Sequence, residues 1–158
     1  MIFKYLTKNF YINFIIIFSI FIIDRISKIY VISLDSKNYS TDLFSSKFLN
    51  INLIWNDGIA FGLLSFDQSN LYNVLTLIIA SIIIIVFYMI IKSNNIKQYP
   101  LLMIFGGAIG NLYDRITFKA VPDFIDFHIG EFHWFIFNVA DIFITIGVIF
   151  MILLELVG

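Results

Sequence analysis

Four stretches of the chain are long, apolar and almost free of charge. Residues 9–23 carry none and the apolar character resumes at 29–34, so a first span is expected over residues 10–34. Residues 68–91 lie between Asp67 and Lys92 without a charge, predicting a second span over 69–91. Residues 98–113 are charge-free and run on through Asp114 and Arg115 to Phe118, a third span over 99–118. From Phe132 to Leu154 only His133 and Asp141 interrupt, and a fourth is expected over 137–157. A membrane-crossing helix needs about 17–25 mostly apolar residues. Between the first two spans the period changes. Leu49, Ile51, Leu53 and Trp55 alternate with Phe48, Asn50, Asn52 and Ile54, and a period of two predicts a strand. Asn56-Asp57-Gly58 is a turn signal, after which residues 59–64 are expected to return as a partner strand. The expected fold is a single all-α membrane domain over 1–158, four transmembrane helices with a small extracytoplasmic β-sheet in segment 35–68.

Composition agrees with that pattern. Of 158 residues, 60% are hydrophobic and 13% charged, against about 45–50% and about 25% in soluble domains. The mean hydropathy is +0.94. A soluble core of this size would lack polar side chains to cover itself, and a disordered chain would be poor in apolar residues. The net charge of −1 without a basic run gives no support for a nucleic-acid partner. The absence of cysteine excludes disulfides, thiolate metal sites and thiol nucleophiles.

With four spans both termini share one side, and Lys4, Lys8, Lys92 and Lys97 share it with them. The positive-inside rule makes that side cytoplasmic. Lys4 and Lys8 precede the first apolar stretch as in a secretion signal, but no small-residue cleavage site follows. The connections 35–68 and 119–136 then face outward.

Charged groups within spans are costly, about 2.5–3.5 kcal/mol each on insertion scales, and each is a candidate for function. Asp24 and Lys28 stand i,i+4 and can pair on one helix face, bracing neighbouring helices. Gly106, Gly107 and Gly110 allow close helix approach, and Asn111 stands i,i+3 from Asp114 and i,i+4 from Arg115. Those polar groups either brace the bundle or take part in chemistry. Asp123 follows the third span and Asp141 lies about one turn into the fourth, with Asn138 three residues before it, placed to orient its carboxylate. Asp123 alone reads as a loop acid; an acid in an apolar helix such as Asp141 is harder to dismiss.

Two carboxylates that converge cannot both ionise easily, so one keeps its proton near neutral pH. The ionised member can take a proton from water while the protonated one polarises a peptide carbonyl. No metal or organic cofactor is required. His128 and His133 flank Glu131 without an H-E-x-x-H pattern, and no G-x-S-x-G is present. A proton relay or small transporter would spread its acids through the membrane depth. Here Asp24, Asp114, Asp123 and Asp141 all fall toward the outer half, which favours a site at one surface. A non-catalytic scaffold would leave Asp141 without a purpose.

Five blocks in order carry a resemblance: Asp24-Arg25-Ile26-Ser27-Lys28, Asn56-Asp57-Gly58-Ile59-Ala60-Phe61-Gly62, Gly106 to Arg115, Val121-Pro122-Asp123-Phe124-Ile125-Asp126, and Phe137-Asn138-Val139-Ala140-Asp141. In these the chain resembles the lipoprotein signal peptidases (signal peptidase II, prolipoprotein signal peptidase). The resemblance implies an aspartic endopeptidase of the bacterial inner membrane, both termini cytoplasmic, acting near the periplasmic face. Its catalytic pair would be Asp123 and Asp141. Asn56, Asn111, Arg115 and Asn138 would support substrate and dyad, and Asp24, Lys28 and Asp114 would be structural. It further implies a β-cradle in the long outer segment and a short periplasmic helix in the connection before the fourth span. The implied partners are prolipoproteins bearing a diacylglyceryl group on the lipobox cysteine, cleaved just before that cysteine, together with membrane lipids; the chain is expected to act as a monomer without metal or cofactor. Pro122 departs from the family pattern, which more often has another residue before the acid.

Overall fold

The structure, a computed structural model, describes residues 2–37, 42–58 and 68–157. Its elements in chain order are helix α1 (Ile2–Asp35), strands β1 (Asp42–Ser45) and β2 (Leu49–Asn56), and helix α2 (Gln68–Lys92). A 3-10 turn (Asn95–Lys97) leads into α3 (Gln98–Phe118), then β3 (Val121–Ile129), β4 (Phe132–Phe137) and α4 (Val139–Val157). Two of the helices, α2 over Tyr72–Lys92 and α4, are long and apolar enough to cross a membrane by length and composition.

The helices bury charged groups among apolar ones and turn large apolar side chains outward. Along α1 the buried positions are Ile20, Asp24, Arg25, Lys28 and Val31, while Phe14, Ile15, Phe18, Ile23, Ile26 and Ile29 are exposed. α2 and α4 likewise expose Ile84, Ile85, Ile149 and Leu153. In water this arrangement would be inverted; in hydrocarbon it is the stable one, because the solvent is as apolar as a core.

α3 lies at the centre, packed against α1, α2 and α4. Glycine makes this possible: a Cβ on Gly107 would stand 2.6 Å from the carbonyl oxygen of Ala140 in α4. Toward one end, Val86, Ile90, Leu101 and Leu102 form an apolar cluster joining α2 to α3. Toward the other, Val31, Leu53 and Phe124 seat the sheet on α1.

Among the described residues the sheet has four antiparallel strands in the order β1-β2-β3-β4. The predicted strand at 48–55 is β2. Its partners differ from expectation: β2 pairs with β1 and with β3, and the proposed return strand at 59–64 lies outside the described residues. The connection before α4, where a short helix was expected, is the β3–β4 hairpin. The residues explain the correction. Val121–Ile129 and Phe132–Phe137 are rich in β-branched and aromatic residues, and they are joined by Gly130-Glu131, with Gly130 at φ +59° as a tight hairpin turn needs. Pro122 is fully buried within β3, opposite Trp55 of β2. β4 joins β3 only from Ile125 onward, so the missing N–H falls where β3 is flanked on one side alone.

Candidate active site

Asp123 and Asp141 come from different elements, a strand and the first turn of a helix, and one asparagine connects them. Asn138 is the residue before α4, and its Oδ1 accepts a hydrogen bond from the Asp141 N–H at 3.2 Å. In return the Asn138 N–H donates to Asp141 Oδ2 at 3.1 Å. This reciprocal pair is a capping box, in which the residue before a helix and the one three later satisfy each other's backbone donors. The local sequence Asn138-Val139-Ala140-Asp141 therefore both starts α4 and fixes one carboxylate. The Asn138 side chain is then used twice, since its Nδ2 donates to Asp123 Oδ1 at 2.6 Å. Asn138 is fully buried, so it has no water to exchange these bonds with.

Each carboxylate has a further amide donor. Asn56, the last residue of β2, donates from Nδ2 to Asp123 Oδ2 at 2.8 Å, while its Oδ1 accepts from the Gly58 N–H at 2.8 Å. Asn111 on α3 donates from Nδ2 to Asp141 Oδ1 at 2.8 Å. Its own Oδ1 faces Lys28 Nζ at 2.8 Å. An ammonium only donates, so Lys28 dictates which end of the Asn111 amide faces Asp141.

Lys28 belongs to a buried four-charge cluster. Its Nζ lies 3.0 Å from Asp24 and 2.7 Å from Asp114. Arg25 donates from Nη2 to Asp24 at 2.8 Å and to Asp114 at 2.6 Å, with its guanidinium 4.9 Å from the Tyr113 ring centroid. Two cations thus balance two anions. Asp24 also accepts the Ala140 N–H at 3.0 Å, an otherwise unpartnered donor in the first turn of α4. The cluster therefore clamps α1 and α3 to the residue next to Asp141. A Cβ on Gly110 would stand 2.6 Å from Asp24 Oδ2, so the cluster also depends on glycine there.

Burial raises the Asp123 pKa above the ordinary carboxylate value, and the nearby Asp141 charge adds to that rise. The bonds from Asn56 and Asn138 oppose it. Asp123 is 4% exposed. Two acids in one enclosed place, held by amides rather than by cations, is the arrangement that allows one proton to be shared between them.

Most of the residues singled out in the sequence meet here: Asp123, Asp141, Asn56, Asn111 and Asn138 directly, and Asp24, Lys28 and Asp114 behind them. Arg115 goes elsewhere. Among the described residues no hydrogen bond or ion pair joins it to either carboxylate, and its guanidinium lies beside the turn at Gly58 and about 6.0 Å from the Tyr72 ring. Its Nε and Nη1 are buried without a hydrogen-bond partner among the described residues.

Two features escaped sequence reasoning. Arg25 sits inside the charge cluster, a position signalled only by its place beside Asp24. Asp126 is buried and links three strands, accepting from Asn50 Nδ2 at 3.2 Å and lying 2.9 Å from His133 Nδ1.

The signal peptidase (SPase) II family pattern matches residues 16–157. A lipoprotein signal peptidase of Pelagibacter ubique is 55% identical over 149 residues, 94% of this chain and 90% of that protein. One of Anaplasma marginale is 39% identical over 150 residues, 94% of this chain and 86% of its own. Two solved structures described as bacterial membrane enzymes are similar to this one at 35% identity over 91% of the chain. Their TM-scores are 0.71 and 0.73, over 87% and 92% of the solved chains.

Proposed function

The chain belongs to the signal peptidase II family and is an aspartic-type enzyme, and from that premise we propose that Asp123 and Asp141 are its catalytic dyad. The substrate is a prolipoprotein bearing a diacylglyceryl group on its lipobox cysteine, cut just before that cysteine. All four long helices cross the bacterial inner membrane, both termini are cytoplasmic, and the sheet lies on the periplasmic side. The observation that carries this reading is Asn138, one fully buried side chain and cap that contacts both carboxylates.

In the reaction the ionised carboxylate takes a proton from a water molecule, and the water oxygen attacks the scissile carbonyl carbon. The protonated carboxyl donates to the carbonyl oxygen as it gains charge. The tetrahedral intermediate collapses with cleavage of the C–N bond, and a proton passes from the dyad to the leaving amine. Asn56, Asn111 and Asn138 hold the acids without fixing their charge, so the proton is free to change sides. Asp24, Arg25, Lys28 and Asp114 support the frame. Arg115, whose guanidinium packs beside Gly58, supports the turn that carries Asn56.

The test uses the purified chain in detergent with a diacylglyceryl-modified prolipoprotein and a chelator. Mass spectrometry of the product is expected to place the lipidated cysteine at the new N-terminus, with no product from Asp123→Asn or Asp141→Asn. Cleavage elsewhere, or cleavage by either variant at the wild-type rate, would refute the assignment.

A further inference from the structure

At the end of the sheet away from the dyad two turns lie side by side. Residues 46–48 join β1 to β2, and Gly130-Glu131 joins β3 to β4. The His128 N–H donates to the Phe48 carbonyl at 3.0 Å, tying one turn to the other. Around them Phe44, Phe48, Ile129 and Phe132 stand 48–62% exposed. Lys47 adds a cation, its Nζ 5.2 Å from the Phe48 ring centroid. None of these side chains takes part in the chemistry proposed above, and an apolar patch of this kind marks a surface that something covers.

We propose that the paired turns are a membrane-interface anchor, seating Phe44, Phe48, Ile129 and Phe132 in the headgroup–glycerol zone of the outer leaflet, with Lys47 at the lipid phosphates. The inference rests on the membrane placement proposed above. Three observations select a bilayer as the occupant. The first is height. Phe127, Trp134 and Phe135 of the hairpin share a cavity lining with Ile142 and Ile146 of α4, and from Asp141 to Ile146 is about 7.5 Å along the helix axis. The hairpin therefore runs beside the outer face of α4, where Ile146, Ile149 and Leu153 are exposed, and does not stand clear of the bundle. The second is chemistry. Aromatic rings beside a lysine suit an interface, the rings at the glycerol level and the ammonium reaching up to phosphate. The third is shape. The patch is made of two turn tips, whereas a standard protein partner covers roughly 800 Å² a side with matched packing. A fluid interface needs no such match.

The anchor acts on the site through the strands. β2 and β3 connect these turns to Asn56 and Asp123, so seating the turns fixes the level of Asp123 against the bilayer.

The chain has no cysteine, so a single introduced one takes a nitroxide label uniquely. The full chain is reconstituted in vesicles of phosphatidylethanolamine and phosphatidylglycerol. Each label is read by its collisions with oxygen, which partitions into lipid, and with a water-soluble nickel chelate. Labels at Phe48→Cys and Phe132→Cys are expected to favour oxygen several-fold more than the free label in buffer, and less than a label at Ile149→Cys on the exposed face of α4. Adding Phe48→Ser or Lys47→Glu to the Phe132→Cys chain is expected to move its reading toward the free label. Readings like the free label at both turns, with Ile149→Cys still in lipid, would overturn the anchor and leave the membrane placement standing. A water-like reading at Ile149→Cys would overturn the placement itself. Dipolar broadening at the turns that vanishes on dilution with unlabelled chain would put a second copy on the patch, and would overturn the anchor too. A reading unmoved by Lys47→Glu would overturn the phosphate contact.

Discussion

Replacing Asp114 by Asn keeps the shape of a fully buried side chain and removes one of four charges. The cluster of Asp24, Arg25, Lys28 and Asp114 is neutral as it stands; the variant leaves two cations against one carboxylate. Lys28 Nζ and Asp114 Oδ2 are 2.7 Å apart, a separation worth about 6 kcal/mol at an effective dielectric constant near 20. The Asn carbonyl returns part of this as a neutral hydrogen bond, about 1 kcal/mol. The expected loss is therefore about 3–5 kcal/mol, the range for stranding a buried charge. Lys28→Met alone strands a carboxylate and should cost a similar amount. The two together restore neutrality, with Arg25 still facing Asp24, and should recover about 1–3 kcal/mol relative to the sum of the single losses. Activity should not recover with stability. Without Lys28 nothing dictates the orientation of Asn111 toward Asp141, so the double variant is expected to be folded and slow. The assay is unfolding in mixed micelles for the three variants, paired with turnover of lipidated substrate. A loss below about 1 kcal/mol for Asp114→Asn, or strictly additive losses, would refute the buried network. Recovery of turnover in step with stability would refute the link from Lys28 through Asn111 to Asp141.

Further expectations follow from the same contacts. Asn138→Ser keeps a capping hydroxyl but cannot reach both acids, so it should cost under about 1 kcal/mol of stability while kcat falls, whereas Asn138→Ala should lose about 0.5–2 kcal/mol as well; equal kcat for Asn138→Ser and wild type would contradict the bridge. Asn56→Ala removes a donor that lowers the Asp123 pKa, so the limb of the pH–rate profile that Asp123 sets should move to higher pH, and a downward shift would contradict the bond from Asn56. Because burial raises the Asp123 pKa on folding, the stability linked to its proton is present below the unfolded carboxylate value and lost as pH rises through the folded one. Relative to Asp123→Asn, whose side chain does not titrate, wild type should therefore gain stability as the solution is acidified from neutral pH. Gly107→Ala drives a Cβ to 2.6 Å from a backbone oxygen of α4; thermal unfolding should report about 1–3 kcal/mol lost as α3 and α4 are forced apart.

Local spacing carried much of the site. Asp24 and Lys28 at i,i+4 do pair, at 3.0 Å, and Asn138 at i,i+3 from Asp141 does orient it, through a capping box that the helix start required. Spacing failed where a long side chain chose its direction. Asn111 and Asp114, i,i+3 on α3, both turn to Lys28 as one face, yet Arg115 turns to the Gly58 side, because the inner face already holds two cations. The β3–β4 hairpin was hidden for another reason: the run from Phe132 to Phe137 is apolar on both faces, and a short apolar run does not distinguish strand from helix. Nor does any local signal pair residues 49–56 with 121–127; that contact is made by seating both strands on the end of α1.

The central claim is that Asp123 and Asp141 work as one unit, and kinetics of Asp123→Asn, Asp141→Asn and the double variant test it most directly. Groups that act together are strongly non-additive. With folding of each variant verified by its melting transition, either single substitution is expected to abolish measurable turnover of a diacylglyceryl-modified precursor, and the double to be no worse than either. Losses that multiply, or a single variant within about tenfold of wild type, would contradict the account.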